Sequence, residues 1–270
     1  MRAQWKTRVA IGVTVVVVLA AGVAGGFALW THLRGTKTVA PGCKVTVGAA
    51  QYVMDLDQAA NATTITAVAK QLGMPDHAVT IALATALQES ELHNVSYGDR
   101  DSLGLFQQRP SQGWGTRAQI LDPRYASTRF FQALARVPGW ETMSVTSAAQ
   151  AVQRSGAPEA YAPWAPMARA LAIATTGEVA AGLTCQFALS KSKVGPPSPQ
   201  AALTSAFGPS TLGATTTAAR GWTIASWLVS HAQEYRITSI TFAGRQWSPH
   251  GVWRVVSDNA PAVSIVQAPA

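Results

Sequence analysis

Apolar positions along the chain fall into three patterns. From Val9 to Trp30 they run for 22 residues without a charge, with Thr14 the one hydroxylated side chain. A helix of that length rises about 33 Å, enough for the hydrocarbon core of a bilayer. Trp5 and Trp30 stand near its ends, and Arg2, Lys6 and Arg8 precede it. This pattern predicts a single transmembrane helix over 9–30, with residues 1–8 cytoplasmic and everything after a juxtamembrane linker (31–42) outside the cell membrane. From 43 to 185 the pattern is that of amphipathic helices, with breaks at Gly73-Met74-Pro75, Pro138-Gly139 and Gly156-Ala157-Pro158. Asp57, Asp76 and Asp122 are the expected helix starts, the last strengthened by Pro123, with further helices from Thr146 and Pro158. Residues 186–220 turn to Pro, Ser, Thr and Gly, a linker composition. After it, 221–270 reads as a small α/β or α+β module: one helix from Trp222 to Tyr235, then strands at Ile237–Phe242, Val252–Val256 and Ala262–Val266. The fold expected is mainly α, a helical domain over 43–185 followed by this small module.

Composition and charge refine the picture. The 270 residues are 48% hydrophobic and 13% charged, which excludes a disordered or fibrous chain. The formal charge is +8, but it is unevenly spread. Residues 43–185 hold ten basic and eleven acidic side chains, a net −1, whereas 1–42 carry +5 and 186–270 carry +4. A near-neutral central domain removes nucleic acid as the expected partner. The basic flanks suit anionic lipid or an anionic wall polymer. Cys43 and Cys185 are the two cysteines, and outside the cytosol they are expected to pair. No Cys/His cluster with metal-ligand spacing is present, and no metal or cofactor is expected.

One segment carries chemistry. A strongly apolar stretch, Leu83 to Leu87, delivers Gln88-Glu89-Ser90, and after Asp99 and Asp101 follows Gly104-Leu105-Phe106-Gln107-Gln108. The helix macrodipole disfavours negative charge at the C-terminal end, and Glu91 adds like charge. Both favour a carboxyl group at Glu89 that carries a proton, the form needed to protonate the leaving oxygen of a glycosidic bond. Gln107, Gln108 and Trp114 form a polar and aromatic stretch suited to sugar hydroxyls and ring faces.

A helix ending in Glu-Ser, followed within about 15 residues by Gly-Leu-Phe-Gln, resembles the soluble lytic transglycosylase branch of the lysozyme-like superfamily. Taken whole, the chain is also similar to actinobacterial single-pass membrane proteins without an assigned activity. The transglycosylase resemblance covers about 50–180. It implies that Glu89 is the catalytic acid and base, that Ser90 orients it, and that Gly104 to Gln107 line a sugar cleft. The substrate it implies is the glycan strand of peptidoglycan, cut between N-acetylmuramic acid and N-acetylglucosamine. The family's third motif, Ala-Tyr-Asn-x-Gly, is matched imperfectly by Ala151-Val152-Gln153-Arg154-Ser155-Gly156. Gln153 stands for the asparagine, and Tyr161 is the residue available to supply the missing hydroxyl. Asp99 and Asp101 leave a hydrolytic muramidase open beside a transglycosylase. One competing expectation is an inactive lysozyme-like wall-binding or scaffold protein; another is an adaptor in which 221–270 docks an envelope or secretion protein while the helical domain clears local wall.

Overall fold

Cys43 and Val45 are buried and Lys44 between them is exposed, the period of two that marks a strand with one covered face. The computed structural model, which describes residues 40–189, 195–209 and 211–269, places them in β1 (Gly42–Val47), followed by β2 (Ala50–Met54). β3 (Leu183–Gln186) pairs with β1 on its other side, giving an antiparallel sheet in the order β2-β1-β3. Cys43 and Cys185 face one another in that register and are joined by the expected disulfide.

Between β2 and β3 the chain is helical. α1 (Leu56–Gln71) opens on a capping box in which the Asp55 carboxylate accepts from the Gln58 N–H and the Gln58 side chain answers to the Asp55 N–H. α2 (Asp76–Ser90) has ten consecutive buried residues, Ala78 to Leu87. A helix apolar on every side belongs at the centre, and α2 is packed by α1 and by three later helices. These include α5 (Val145–Gln153) and α6 (Ala165–Thr175), which follow α3 (Arg117–Ile120) and α4 (Pro123–Leu134). Asp122 caps α4, accepting from the N–H groups of Arg124 and Tyr125, with Pro123 at the first position. Short 3₁₀ turns at Pro110–Gln112, Trp140–Thr142 and Pro158–Trp164 carry the connections.

The C-terminal part adds α7 (Gln200–Phe207), α8 (Ala218–Ser230) and a second antiparallel sheet, ordered β6-β5-β4-β7. Its strands are β4 (Ile237–Phe242), β5 (Arg245–Ser248), β6 (Val252–Val255) and β7 (Ser264–Gln267). α8 is buried over Gly221 to Ser230 because it is covered on both sides. Toward the helices, Ser230 and Thr63 share a hydroxyl contact at 2.7 Å and Ser226 donates to the Ala174 carbonyl. Toward the sheet, Gly221 lies so close to Phe242 that a Cβ would sit 2.0 Å from Cζ of the ring. Trp247 and Trp253 then donate to Thr184 and Leu183 of β3, tying the two sheets. From Ala40 onward the chain is one compact unit.

Two expectations are corrected. The fold is α+β, not mainly α, because three short strands bracket the helices and a four-stranded sheet completes the unit. The membrane expectation finds no support: no helix among the described residues is long and apolar enough to cross a bilayer. The run from Val9 to Trp30 lies outside those residues, so no single-pass anchoring or cell-membrane placement follows. Smaller shifts are local: α1 is capped by Asp55 and not Asp57, α2 begins after Pro75, and α5 is capped by Ser144.

His231, just past α8, stacks on Trp227 at 4.0 Å and its Nδ1 lies 2.9 Å from the Trp227 carbonyl. Burial lowers its imidazole from the usual 6.5 to about 4. Between these values the unfolded chain binds a proton that the folded chain refuses. Stability is therefore expected to fall as pH drops from about 6.5 to 4, by roughly 3 kcal/mol from this residue. Denaturant titrations of the wild type and His231→Gln across that range check this; equal pH slopes in the two proteins would remove it.

Candidate active site

The site is built where α2 ends. Glu91 and Leu92 both take left-handed backbone conformations, φ 53° and 63°, each costing a non-glycine residue about 1–2 kcal/mol. The Leu92 N–H closes the helix by donating six residues back to the Ala86 carbonyl. Two side chains of α1 hold this exit: Gln58 donates to the Glu91 carbonyl at 2.9 Å and Asn61 to the Leu92 carbonyl at 2.8 Å. Backbone strain held in place in this way is characteristic of functional segments.

The turn Gly104-Leu105-Phe106-Gln107 is closed by reciprocal backbone hydrogen bonds between Leu103 and Gln108. Gly104, at φ +72°, lies so close to the Ile120 carbonyl that a Cβ would sit 2.7 Å from its oxygen. Two turn carbonyls are then gripped from separate helices. Ser90 Oγ donates to the Leu105 carbonyl at 2.8 Å, and Gln153 Nε2 donates to the Phe106 carbonyl at 2.8 Å. The helix end, the turn and the end of α5 are thereby one assembly.

Glu89 is half-buried in this assembly, and Tyr161 from the Pro158–Trp164 turn donates its phenol to Glu89 Oε1 at 2.8 Å. Tyr161 is fully buried, and that burial pushes its phenol well above the usual range, which keeps it a donor. From the same turn, Trp164 Nε1 donates to Gln88 Oε1 at 2.7 Å. A carboxyl group fixed at one oxygen, with the second left for another partner, is suited to move a proton at a defined place. Tyr161→Phe is expected to lower kcat of whatever reaction Glu89 performs by roughly 10- to 100-fold, from loss of one hydrogen bond to a carboxyl group. KM should stay within error, and a purely structural role would instead move Tm and leave kcat per folded molecule unchanged.

The structure brings together Glu89, Ser90, Gln153, Tyr161 and the backbone of the Gly104–Gln107 turn. Leu105 and Phe106 contribute carbonyls alone, since their side chains are wholly buried, Phe106 stacked on Phe130. Gln107 folds back to the Tyr97 and Gly104 carbonyls, and Gln108 is buried, donating to Ala126. Ser90 orients the turn and makes no hydrogen bond to Glu89. The two aspartates are engaged or remote. Asp101 accepts from Arg109 Nε at 2.7 Å and from the Ser111 N–H and hydroxyl, and the Arg109 guanidinium holds its carboxyl well below the usual range. Asp99 has a side chain 92% exposed, with Arg100 3.8 Å away. Trp114 is half-buried in a groove with Gln112 and Gln153.

Sequence reasoning missed Gln58 and Asn61, whose i, i+3 spacing on α1 was their one signal. Among the described residues no group of three His, Cys, Asp or Glu side chains is placed to hold a metal ion. No protein-family model and no curated protein matches this chain.

Proposed function

We propose that this protein cleaves the glycan strands of peptidoglycan, with Glu89 protonating the glycosidic oxygen. The observation that carries the reading is the Tyr161–Glu89 hydrogen bond at the end of the central helix, in an assembly with the Gly-Leu-Phe-Gln turn. The bond cut is that between N-acetylmuramic acid and N-acetylglucosamine. After donating its proton, the Glu89 carboxylate takes one from the muramyl 6-hydroxyl, whose oxygen closes on C1, so the leaving sugar departs as an alcohol and the other end is a 1,6-anhydro ring.

A one-acid transglycosylase is favoured over a hydrolase by the positions of the aspartates. A hydrolase needs a second carboxylate to activate water or stabilise the cation, whereas Asp101 is committed to Arg109 and Ser111 and Asp99 faces solvent. Digestion of purified peptidoglycan followed by mass spectrometry separates the two: 1,6-anhydro ends support the transglycosylase, and reducing ends the hydrolase. Asp101→Asn is expected to change the rate by less than about tenfold, against 10²–10⁴-fold for removal of a general acid. A loss through Asp101→Asn as large as that through Glu89→Gln would restore the two-carboxylate mechanism.

A further inference from the structure

A groove of about 540 Å³ is lined in part by Trp114, Arg129, Arg136, Gln153 and Arg154. This is within the size range of ligand sites. Three guanidinium groups line it and no carboxylate does. None of the three forms an ion pair with a described residue. In a compact, near-neutral part of the chain, such one-sided charge concentrates anions. Arg129 is held by the Gly113 carbonyl at 3.2 Å, and its Nε is buried with no hydrogen-bond partner. Arg136 and Arg154 are exposed. Arg154 stands at the C-terminal cap of α5 in a left-handed conformation, φ 51°, its N–H donating to the Gln150 carbonyl.

Gln153 belongs to both places: it lines the groove and its amide holds the Phe106 carbonyl of the turn. A ligand in the groove is therefore coupled to the turn that meets the end of α2. Guanidinium forks match carboxylates in paired hydrogen bonds. Ala133, Val137 and Val152 line the same groove and suit short aliphatic side chains.

We propose that this groove binds the carboxylates of the short acidic peptide carried on the muramyl sugars of the substrate strand. The proposal rests on the peptidoglycan reading of Glu89, and it adds a subsite that recognises strands by their peptides.

The test is calorimetric binding by the full chain of a disaccharide–tetrapeptide with free carboxylates. The probe lacks the bond proposed to be cut, so turnover does not enter. Parallel titrations use the same disaccharide–peptide with its carboxylates amidated, neutral chitotetraose, and poly(glycerol phosphate). The variant is Arg136→Gln with Arg154→Gln, both exposed, so that folding is preserved. The free-carboxylate probe is expected to bind about tenfold or more tightly than the amidated one. The double variant should abolish that preference and leave chitotetraose binding unchanged. Equal affinity of the variant and the wild type for the free-carboxylate probe would overturn the proposal, as would tighter binding of poly(glycerol phosphate) than of the peptide. If Glu89 proved inert while arginine-dependent binding persisted, the cleavage reading would fail and the groove would stand.

Discussion

Glu89→Gln is expected to lower release of soluble fragments from purified peptidoglycan by roughly 10²–10⁴-fold, the usual contribution of a positioned general acid. The substitution keeps the shape of the side chain and an oxygen to accept from Tyr161, whose phenol lies 2.8 Å from Oε1. What it removes is the acidic proton that a carboxyl group can give up and take back. Ser90, Gln153 and the Gly104–Gln107 turn bond among themselves and not through the carboxyl group, so the assembly should stand. Stability is accordingly expected to change by less than about 1 kcal/mol, and thermal melts of the two proteins should nearly coincide. An inactive variant that also melts much lower would show that Glu89 supports the fold, and the loss of activity would then say nothing about proton transfer.

The second large effect is on stability. Reduction of Cys43–Cys185, or Cys43→Ala with Cys185→Ala, is expected to cost on the order of 4–5 kcal/mol in the chain-entropy description, because the bond closes a separation of 142 residues. For a unit of this size that corresponds to a fall in Tm of roughly 10 °C or more. The bond joins facing positions of β1 and β3, and the whole helical segment including α2 lies between them. Both sulfurs are buried, so reduction should be slow in the native state and fast in denaturant. Melts with and without reductant after partial unfolding read the effect. Coincident transitions would mean that the sheet β2-β1-β3 alone fixes the ends of the helical segment.

Local chemistry was the legible part of this sequence. Asp122-Pro123 announced α4 because a capping carboxylate and a fixed φ act within one turn. β4 and most of β6 and β7 were visible as alternation, whereas β5 was not: of Arg245-Gln246-Trp247-Ser248 only Trp247 is buried. The first sheet escaped notice for a different reason. β1 meets β3 across more than a hundred residues, and strands of four to six residues carry too little periodicity to stand out inside a helical region. The candidate site divides in the same way. Glu89, Ser90 and the Gly104 turn were legible by spacing along the chain. The use of the turn was not, because burial of Leu105 and Phe106 makes it a source of gripped carbonyls. Tyr161 reaches Glu89 across 72 positions, a meeting that only the packing of the Pro158–Trp164 turn onto α2 determines.

We propose that the Glu89 carboxyl group, held by Tyr161, delivers a proton to a glycosidic oxygen. The most direct test is mass spectrometry of the soluble products released from purified peptidoglycan by the wild type and by Glu89→Gln at matched concentration. Muropeptides with 1,6-anhydro ends are expected from the wild type, and their near absence with the variant. No release by the wild type over a range of pH and wall sources, or the same products from Glu89→Gln at the same rate, would contradict it.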